Sequence, residues 1–163
     1  MENIHEQQTL VLLKPDAVKR GIAGRIITRF ENTGLTISAM KMLVPAEELS
    51  EKHYSEHREK DFFRALVNFL SSGPVIAMAV SGCGAVEKVR RIIGSTQPSE
   101  AAPGTIRGDF SHICYERGKE RLGTIPNIVH ASDNPENAVK EINLWFKPEE
   151  IISENYRSDE LFF

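Results

Sequence analysis

The chain has 163 residues, of which 40% are hydrophobic and 26% are charged, a composition typical of one soluble globular domain. Its formal net charge is −3, so the chain as a whole lacks the basic surface that nucleic acid or an anionic membrane would attract. No membrane-spanning run, secretory signal, metal-binding cysteine spacing or disulfide framework is visible. We therefore expect a cytoplasmic protein with neither a membrane nor a nucleic acid as partner.

Apolar strands and amphipathic helices alternate along the chain. The run over 9–13 is continuously apolar and stops at Lys14-Pro15-Asp16, which predicts a buried central strand that places Lys14 at the rim of a sheet. Helical and alternating spacings predict the other elements. In chain order these are a helix over 21–30, a strand over 35–44, helices over 45–54 and 62–70, a strand over 75–80, a helix over 84–94, a strand over 110–115 and a helix over 135–146.

This order predicts the fold class. Four strands with helices between them, and no tandem repeat, favour an α+β sandwich of the ferredoxin-like βαββαβ type. Such a fold has a four-stranded antiparallel sheet, here with added helices. A small doubly wound sheet is the alternative. We expect a single domain over 1–163.

One histidine, His130, lies in a position suited to chemistry. It follows two branched apolar residues, as at the end of a buried strand, and precedes a helix that opens at Pro135. Packing behind such a junction would fix the imidazole ring, which is a usable nucleophile near neutral pH. A histidine that only caps the next helix is the alternative.

Several cationic and hydrogen-bonding residues lie at element ends or beside a Gly/Pro-rich loop over 95–108: Lys14, Arg90, Thr96 and Arg107. Guanidinium groups bind phosphate oxygens in a bidentate way, although any one of these residues could be a solvated surface charge. Phe62 lies at the margin of an apolar helix face, where it is either partly buried core or a platform for a base. Known nucleotide-binding loops and a zinc-protease motif are absent from the sequence, and His53 and His57 are interpreted as a surface pair. We expect no metal held by the protein itself. Together these residues indicate phosphoryl transfer on a nucleotide.

The motifs resemble those of the nucleoside diphosphate kinase family along almost the whole chain. They are Lys14-Pro15-Asp16, Arg20-Gly21, His53-Tyr54, Phe62-Phe63, Ser72-Gly73-Pro74-Val75, Gly94-Ser95-Thr96-Gln97-Pro98, Pro103-Gly104-Thr105-Ile106-Arg107-Gly108-Asp109-Phe110, Asn127-Ile128-Val129-His130-Ala131-Ser132-Asp133 and Leu144-Trp145-Phe146. Each motif alone is weak, but their common order is specific.

The resemblance implies a role for each site residue. His130 matches the histidine that takes the γ-phosphate from a nucleoside triphosphate such as ATP and passes it to a nucleoside diphosphate. Glu141 resembles the carboxylate that accepts the other imidazole N–H, and Tyr54 and Ser132 resemble the residues beside the nucleophile. The remaining roles are sugar and phosphate contacts for Lys14 and Asn127, base stacking for Phe62, and a phosphate clamp for Arg90, Thr96 and Arg107.

The resemblance also implies ping-pong kinetics, Mg²⁺ that arrives with the nucleotide, and a homo-oligomer, expected to be a hexamer. The sequence departs from the family pattern by an apparent insertion around 116–125, whose charged residues and flanking glycines predict a solvent-exposed hairpin or flap. A nucleotide-binding regulatory module without turnover is the main alternative, and a ferredoxin-like nucleic-acid binder is a third.

Overall fold

The computed structural model describes residues 6–152, which form a four-stranded antiparallel sheet with helices packed on both faces. The strands are β1 (Glu6–Leu13), β2 (Thr36–Leu43), β3 (Val75–Cys83) and β4 (Val129–Ala131). The helices are α1 (Pro15–Lys19), α2 (Ala23–Glu31), α3 (Glu47–His53), α4 (Phe63–Leu70), α5 (Ala85–Ile93), α6 (Ile106–Phe110), α7 (Tyr115–Leu122) and α8 (Pro135–Trp145). The aromatic C-terminal tail over 156–163 is expected from the sequence to pack on a neighbouring subunit, and it lies outside the described residues.

The order of strands in the sheet is β2-β3-β1-β4, and every neighbouring pair is antiparallel. The predicted ferredoxin-like α+β fold is therefore confirmed, and the doubly wound alternative, which needs parallel strands, is wrong. No helix within residues 6–152 combines the length and apolarity needed to cross a membrane.

Strand β1 is the centre of the molecule. Its residues 10–13 have no exposed surface, because alternate side chains enter two different hydrophobic clusters. Val11 and Leu13 pack in the cluster that contains α2 and α5, whereas Leu10 and Leu12 pack in the cluster that contains α4 and α8. Burial on both faces explains the continuous apolar run, and it makes the end of β1 a rigid support for Lys14.

The fourth strand lies elsewhere than the sequence predicts. Residues 110–115 form no strand. Helix α6 extends to Phe110, and its N-cap is Thr105, whose side chain accepts a hydrogen bond from the N–H of Gly108 at 3.1 Å, while α7 begins at Tyr115. The fourth strand is β4, which pairs with β1 over Val11–Leu13. This pairing places His130 opposite Leu12, next to the rigid centre of the sheet.

The segment expected to form a hairpin or flap is instead helical. Helix α7 ends at Leu122, and its C-cap residue Gly123 adopts the left-handed conformation with φ of 69°. A Cβ atom on Gly118 would lie 2.9 Å from the Cα of Ile125, so only glycine allows this close contact. An Arg117–Glu120 ion pair of 2.8 Å lies on its surface. The helix thus packs against the segment 124–126, which leads to Asn127.

Candidate active site

One cleft of about 690 Å³ collects all of the predicted site residues except Ser132. Its walls come from the ends of β1 and β4, the starts of α4 and α7, and the helices α5, α6 and α8. The segment 52–58, the loop after α5 and the residues after α7 complete them. The predicted residues that line it are Lys14, Tyr54, Phe62, Arg90, Thr96, Arg107, Asn127, His130 and Glu141. Ser132 is fully buried and reaches the site through Glu141.

His130 is held by a carboxylate from the helix that follows it. Nε2 of His130 lies 3.0 Å from Oε2 of Glu141 on α8, and the hydroxyl of Ser132 donates to the same oxygen at 2.6 Å. The Ser132 hydroxyl also accepts from the backbone N–H of Leu10 at 3.3 Å, so this network is tied to the central strand. The imidazole is therefore held through its Nε2 atom.

The network determines which imidazole nitrogen is free. Burial raises the pKa of Glu141, but the hydrogen bonds from His130 and Ser132 outweigh it and hold that pKa below its usual value. The carboxylate is thus ionised and can only accept, which assigns the proton to Nε2 of His130. In the neutral form of the ring, the lone pair therefore lies on Nδ1.

The backbone before the histidine is strained. Ile128 is fully buried and has φ of 73°, in the left-handed region that β-branched residues rarely adopt, at a typical cost of about 1–3 kcal/mol. Its N–H donates to Oδ2 of Asp16 at 3.0 Å, and its carbonyl accepts from the backbone N–H of Lys14 at 2.8 Å. The end of β1 and the start of α1 therefore hold the residue two positions before His130.

Lys14 is a buried cation at the end of β1. Only 6% of its surface is exposed, and its Nζ donates to Oδ1 of Asn127 at 2.7 Å. Asn127 in turn donates to the carbonyl of Thr96 at 2.9 Å, which links Lys14 to the loop after α5. Burial, followed by repulsion from Arg107, lowers the pKa of Lys14 to about 8, while Asp16 opposes the change. Lys14 is charged at neutral pH and close to losing its proton.

Two arginines line the cleft in different ways. Arg107 is 6% exposed, and its guanidinium donates to three main-chain carbonyls: Asn127 at 3.2 Å, Gly94 at 2.9 Å and Val129 at 2.7 Å. Burial and the nearby Arg90 lower the pKa of Arg107 to about 10, so it remains charged at neutral pH. The side chain of Arg90 is 42% exposed and pairs with Asp133 at 2.6 Å. Arg107 thus ties three main-chain segments together, whereas Arg90 is partly exposed and is held by one ion pair.

Aromatic residues form another wall. Phe62 is the N-cap residue of α4, with its ring centre 5.7 Å from that of His57, and His57 lies 6.5 Å from Tyr54 in a stacked arrangement. The hydroxyl of Tyr54 is shielded from solvent and has no hydrogen-bond partner among residues 6–152. Burial, and then the charge of Glu141, raises the pKa of Tyr54, so it keeps its proton as a donor.

His53 is a site residue that the sequence did not identify, and its assignment to a surface pair is wrong. Its ring is perpendicular to that of His130, with centres 4.5 Å apart, and its Nδ1 accepts from the indole N–H of Trp145 at 3.2 Å. Burial and the nearby His130 lower the pKa of His53 well below its usual value, so it is neutral with its proton on Nε2. The helical spacing of His53 and His57 gave no signal for this contact, which depends on how α3 packs against α8.

Three groups could approach a metal ion. One nitrogen of His53, one nitrogen of His130 and one oxygen of Glu141 lie within 4.8 Å of one another. However, the Trp145 N–H directs the proton of His53 to Nε2, and Glu141 already accepts from His130. A metal ion here would have to displace these hydrogen bonds.

The α7 segment also reaches the cleft. Tyr115 at the start of α7 and the residues that follow the helix, Gly123, Thr124 and Ile125, line it together with Phe62. Tyr115 is 43% exposed, while Thr124 is buried. The apparent insertion therefore forms part of the wall of the cleft.

The arrangement matches known proteins over nearly the whole chain. A family model described as nucleoside diphosphate kinase matches residues 7–151. The chain is 53% identical over 146 residues to a nucleoside diphosphate kinase of Pyrococcus horikoshii, a match that covers 90% of this chain and 88% of that protein.

Solved structures agree with this match. One is the nucleoside-diphosphate kinase from Borrelia burgdorferi, a transition state mimic with bound vanadate and ADP. It has a TM-score of 0.92 and 40% identity and covers 97% of this chain and 96% of its own. Another is the nucleoside diphosphate kinase from Halobacterium salinarum in complex with CDP. It has a TM-score of 0.86 and 40% identity, and it covers 96% of this chain and 97% of its own. The chain belongs to the nucleoside diphosphate kinase family of phosphotransfer enzymes.

Proposed function

We propose that this chain transfers the γ-phosphate of ATP or another nucleoside triphosphate to a nucleoside diphosphate through a phosphohistidine at His130. The observation that carries the proposal is the Glu141–His130 hydrogen bond of 3.0 Å, which leaves Nδ1 unprotonated at the edge of a cationic cleft. In the first half-reaction Nδ1 attacks the γ-phosphorus, the bond from phosphorus to the bridging oxygen breaks, and the nucleoside diphosphate leaves. In the second half-reaction a diphosphate oxygen attacks the phosphohistidine and Nδ1 recovers its lone pair.

The cations of the cleft stabilise the transferring group. Phosphoryl transfer depends on in-line positioning and on neutralisation of charge on the phosphate oxygens. Lys14, Arg90 and Arg107 line the cleft from separate elements, so they can surround a triphosphate. The Tyr54 hydroxyl and the Nε2–H of His53, both shielded and without partners in the described chain, are further donors beside the histidine.

The same cleft accepts donor and acceptor nucleotides in turn. Phe62 offers a ring on which a base can stack, and stacking is tolerant because every base has a flat face. Asn127 and Lys14 are positioned for the sugar and the nearest phosphate. We therefore expect ping-pong kinetics with little discrimination among bases.

Magnesium is expected to arrive with the nucleotide. Mg²⁺ prefers oxygen ligands and retains water, and two of the cleft carboxylates, Glu141 and Asp133, already bind His130 and Arg90. The nucleotide phosphates would therefore hold the ion, which would supply charge neutralisation when bound.

We also propose a homo-oligomer, expected to be a hexamer. Strand β2 lies at the edge of the described sheet, and the side chains of Met40, Met42 and Val44, on and just after this strand, are 56–66% exposed. Such a row of apolar side chains on an edge strand favours contact with another chain. Light scattering after gel filtration measures the assembly, and a monomer at micromolar concentration would refute the expectation.

Intact mass spectrometry tests the phosphohistidine. Wild type and His130→Ala are mixed with ATP and Mg²⁺, and spectra are recorded at neutral or alkaline pH because phosphohistidine is labile in acid. We expect one added phosphate on wild type that GDP removes, and none on the variant. Nucleotide binding by wild type without any adduct would favour the regulatory module instead.

A further inference from the structure

The strained peptide before His130 is held by a residue to which the proposed mechanism gives no role. Ile128 is fully buried with φ of 73°, and a β-branched residue keeps this conformation only where its surroundings hold it. The chain continues directly from Ile128 through Val129 to His130. Any relaxation of the Ile128 peptide toward ordinary φ values would therefore turn the strand that carries His130.

Asp16 makes the contact that opposes this relaxation. Its Oδ2 accepts from the N–H of Ile128 at 3.0 Å, across 112 positions of sequence, from the first turn of α1. The backbone N–H of Lys14 donates to the carbonyl of Ile128 at 2.8 Å, so the segment 14–16 binds both polar groups of that residue. The second oxygen of Asp16, Oδ1, is shielded and finds no partner in the part of the chain described here. The hydrogen bond to Ile128 is thus what anchors this carboxylate.

The charge of Asp16 also acts on the cleft. Its attraction opposes the lowering of the pKa of Lys14 and of Arg107, both of which line the cleft. Asp16 itself does not line that cleft, so its influence on the reaction must pass through other residues. Two separable effects follow, a hydrogen bond that shapes the backbone and a charge that favours the two cations.

We propose that Asp16 is a positioning residue for phosphoryl transfer, whose hydrogen bond to the Ile128 N–H holds the strained peptide and thereby aims Nδ1 of His130 into the cleft. The inference rests on the proposed role of His130. The positioning role of Asp16 differs from a role in substrate binding, because loss of Asp16 should lower the rate of phosphorylation and change the affinity for nucleotide much less.

The test compares three substitutions at one position. Asp16→Ala removes both the hydrogen bond and the charge, Asp16→Asn keeps an oxygen acceptor without charge, and Asp16→Glu keeps the charge but displaces the oxygen. Asp109→Ala is the matched control, because Asp109 also accepts a backbone N–H, that of Gly104 at 2.8 Å, in a loop. The readouts are the single-turnover rate of phosphohistidine formation from ATP and Mg²⁺, the KM for nucleotide and far-UV circular dichroism.

We expect phosphohistidine formation to be about tenfold to hundredfold slower in Asp16→Ala than in wild type, with a small change in KM. Asp16→Asn should have most of the wild-type rate. Asp16→Glu should be slow and the Asp109 control close to wild type. If Asp16→Ala does not fold, the Asn and Glu variants decide the question.

A wild-type rate in Asp16→Ala would overturn the proposal. So would a slow Asn variant with a fast Glu variant, because charge and not the hydrogen bond would then be responsible. Failure of the wild-type protein to form any phosphohistidine would instead refute the proposed function, so the two failures are distinguishable.

Discussion

Lys14 is a buried cation, and burial opposes its charge. Replacing it should show how much this charge lowers the free energy of unfolding. Burial and Arg107 lower its pKa from 10.5 to about 8 in the folded protein. Since one pKa unit corresponds to about 1.4 kcal/mol, the charged side chain lowers the folding stability by roughly 3 kcal/mol. A group whose pKa is lower in the folded state destabilises the protein fully below that pKa. The destabilisation disappears as the pH rises from about 8 to 10.5, because over this range the unfolded chain binds more protons than the folded protein.

Lys14→Met lacks this titration. The free energy of unfolding of wild type minus that of Lys14→Met should therefore rise by roughly 3 kcal/mol between pH 7 and pH 10.5. Urea unfolding followed by circular dichroism at one protein concentration measures it. The control is Lys52→Met, whose side chain is 58% exposed on α3 and pairs with Glu48. The free energy of unfolding of wild type minus that of Lys52→Met should not change between pH 7 and pH 10.5. A flat or falling difference for Lys14→Met would refute the argument from burial.

Four further substitutions separate the roles of site residues. Arg107→Lys should slow turnover and lower the free energy of unfolding by about 2–3 kcal/mol, because lysine cannot bind three carbonyls in the same planar geometry. Arg90→Lys should slow turnover without changing the melting temperature measured by calorimetry. Equal melting temperatures for the two variants would contradict this distinction. Phe62→Ala should raise KM by about tenfold for purine and pyrimidine diphosphates alike, measured in steady state, and an effect on one base alone would argue against stacking. Glu141→Gln should slow single-turnover phosphorylation of His130 by about tenfold or more, and an unchanged rate would show that the carboxylate charge is dispensable.

The sequence predicted the centre of the fold because its signals there are local. The continuous apolar run over 9–13 reflects burial of β1 on both faces, and the spacing in α2, α4, α5 and α8 reflects their single buried faces. The motif order identified the family, which the comparisons confirm. The predicted site residues are spread along the chain from Lys14 to Glu141, so no local pattern identifies all of them. Tyr54, Asn127, Ser132 and Glu141 were predicted from the resemblance alone.

What the sequence did not predict depends on tertiary contacts. Residues 110–115 contain strand-forming side chains, but the cap at Thr105 begins a helix and β4 takes the place beside β1. The positive φ of Ile128 could not be predicted from the sequence, because β-branched residues rarely adopt the left-handed region. His53 looks like a surface histidine until α3 and α8 pack and bring Trp145 to its Nδ1. Each of these features is imposed by a partner distant in sequence.

The most direct test of the account is the identity of the phosphorylated nitrogen. Wild type is uniformly labelled with ¹⁵N, phosphorylated with ATP and Mg²⁺, unfolded at alkaline pH and studied by NMR through the coupling between ³¹P and the ring nitrogens. The hydrogen bond of 3.0 Å between Glu141 and Nε2 of His130 predicts phosphate on Nδ1 alone. Phosphate on Nε2, or on a residue other than His130, would contradict the central claim that Glu141 selects the nucleophilic nitrogen.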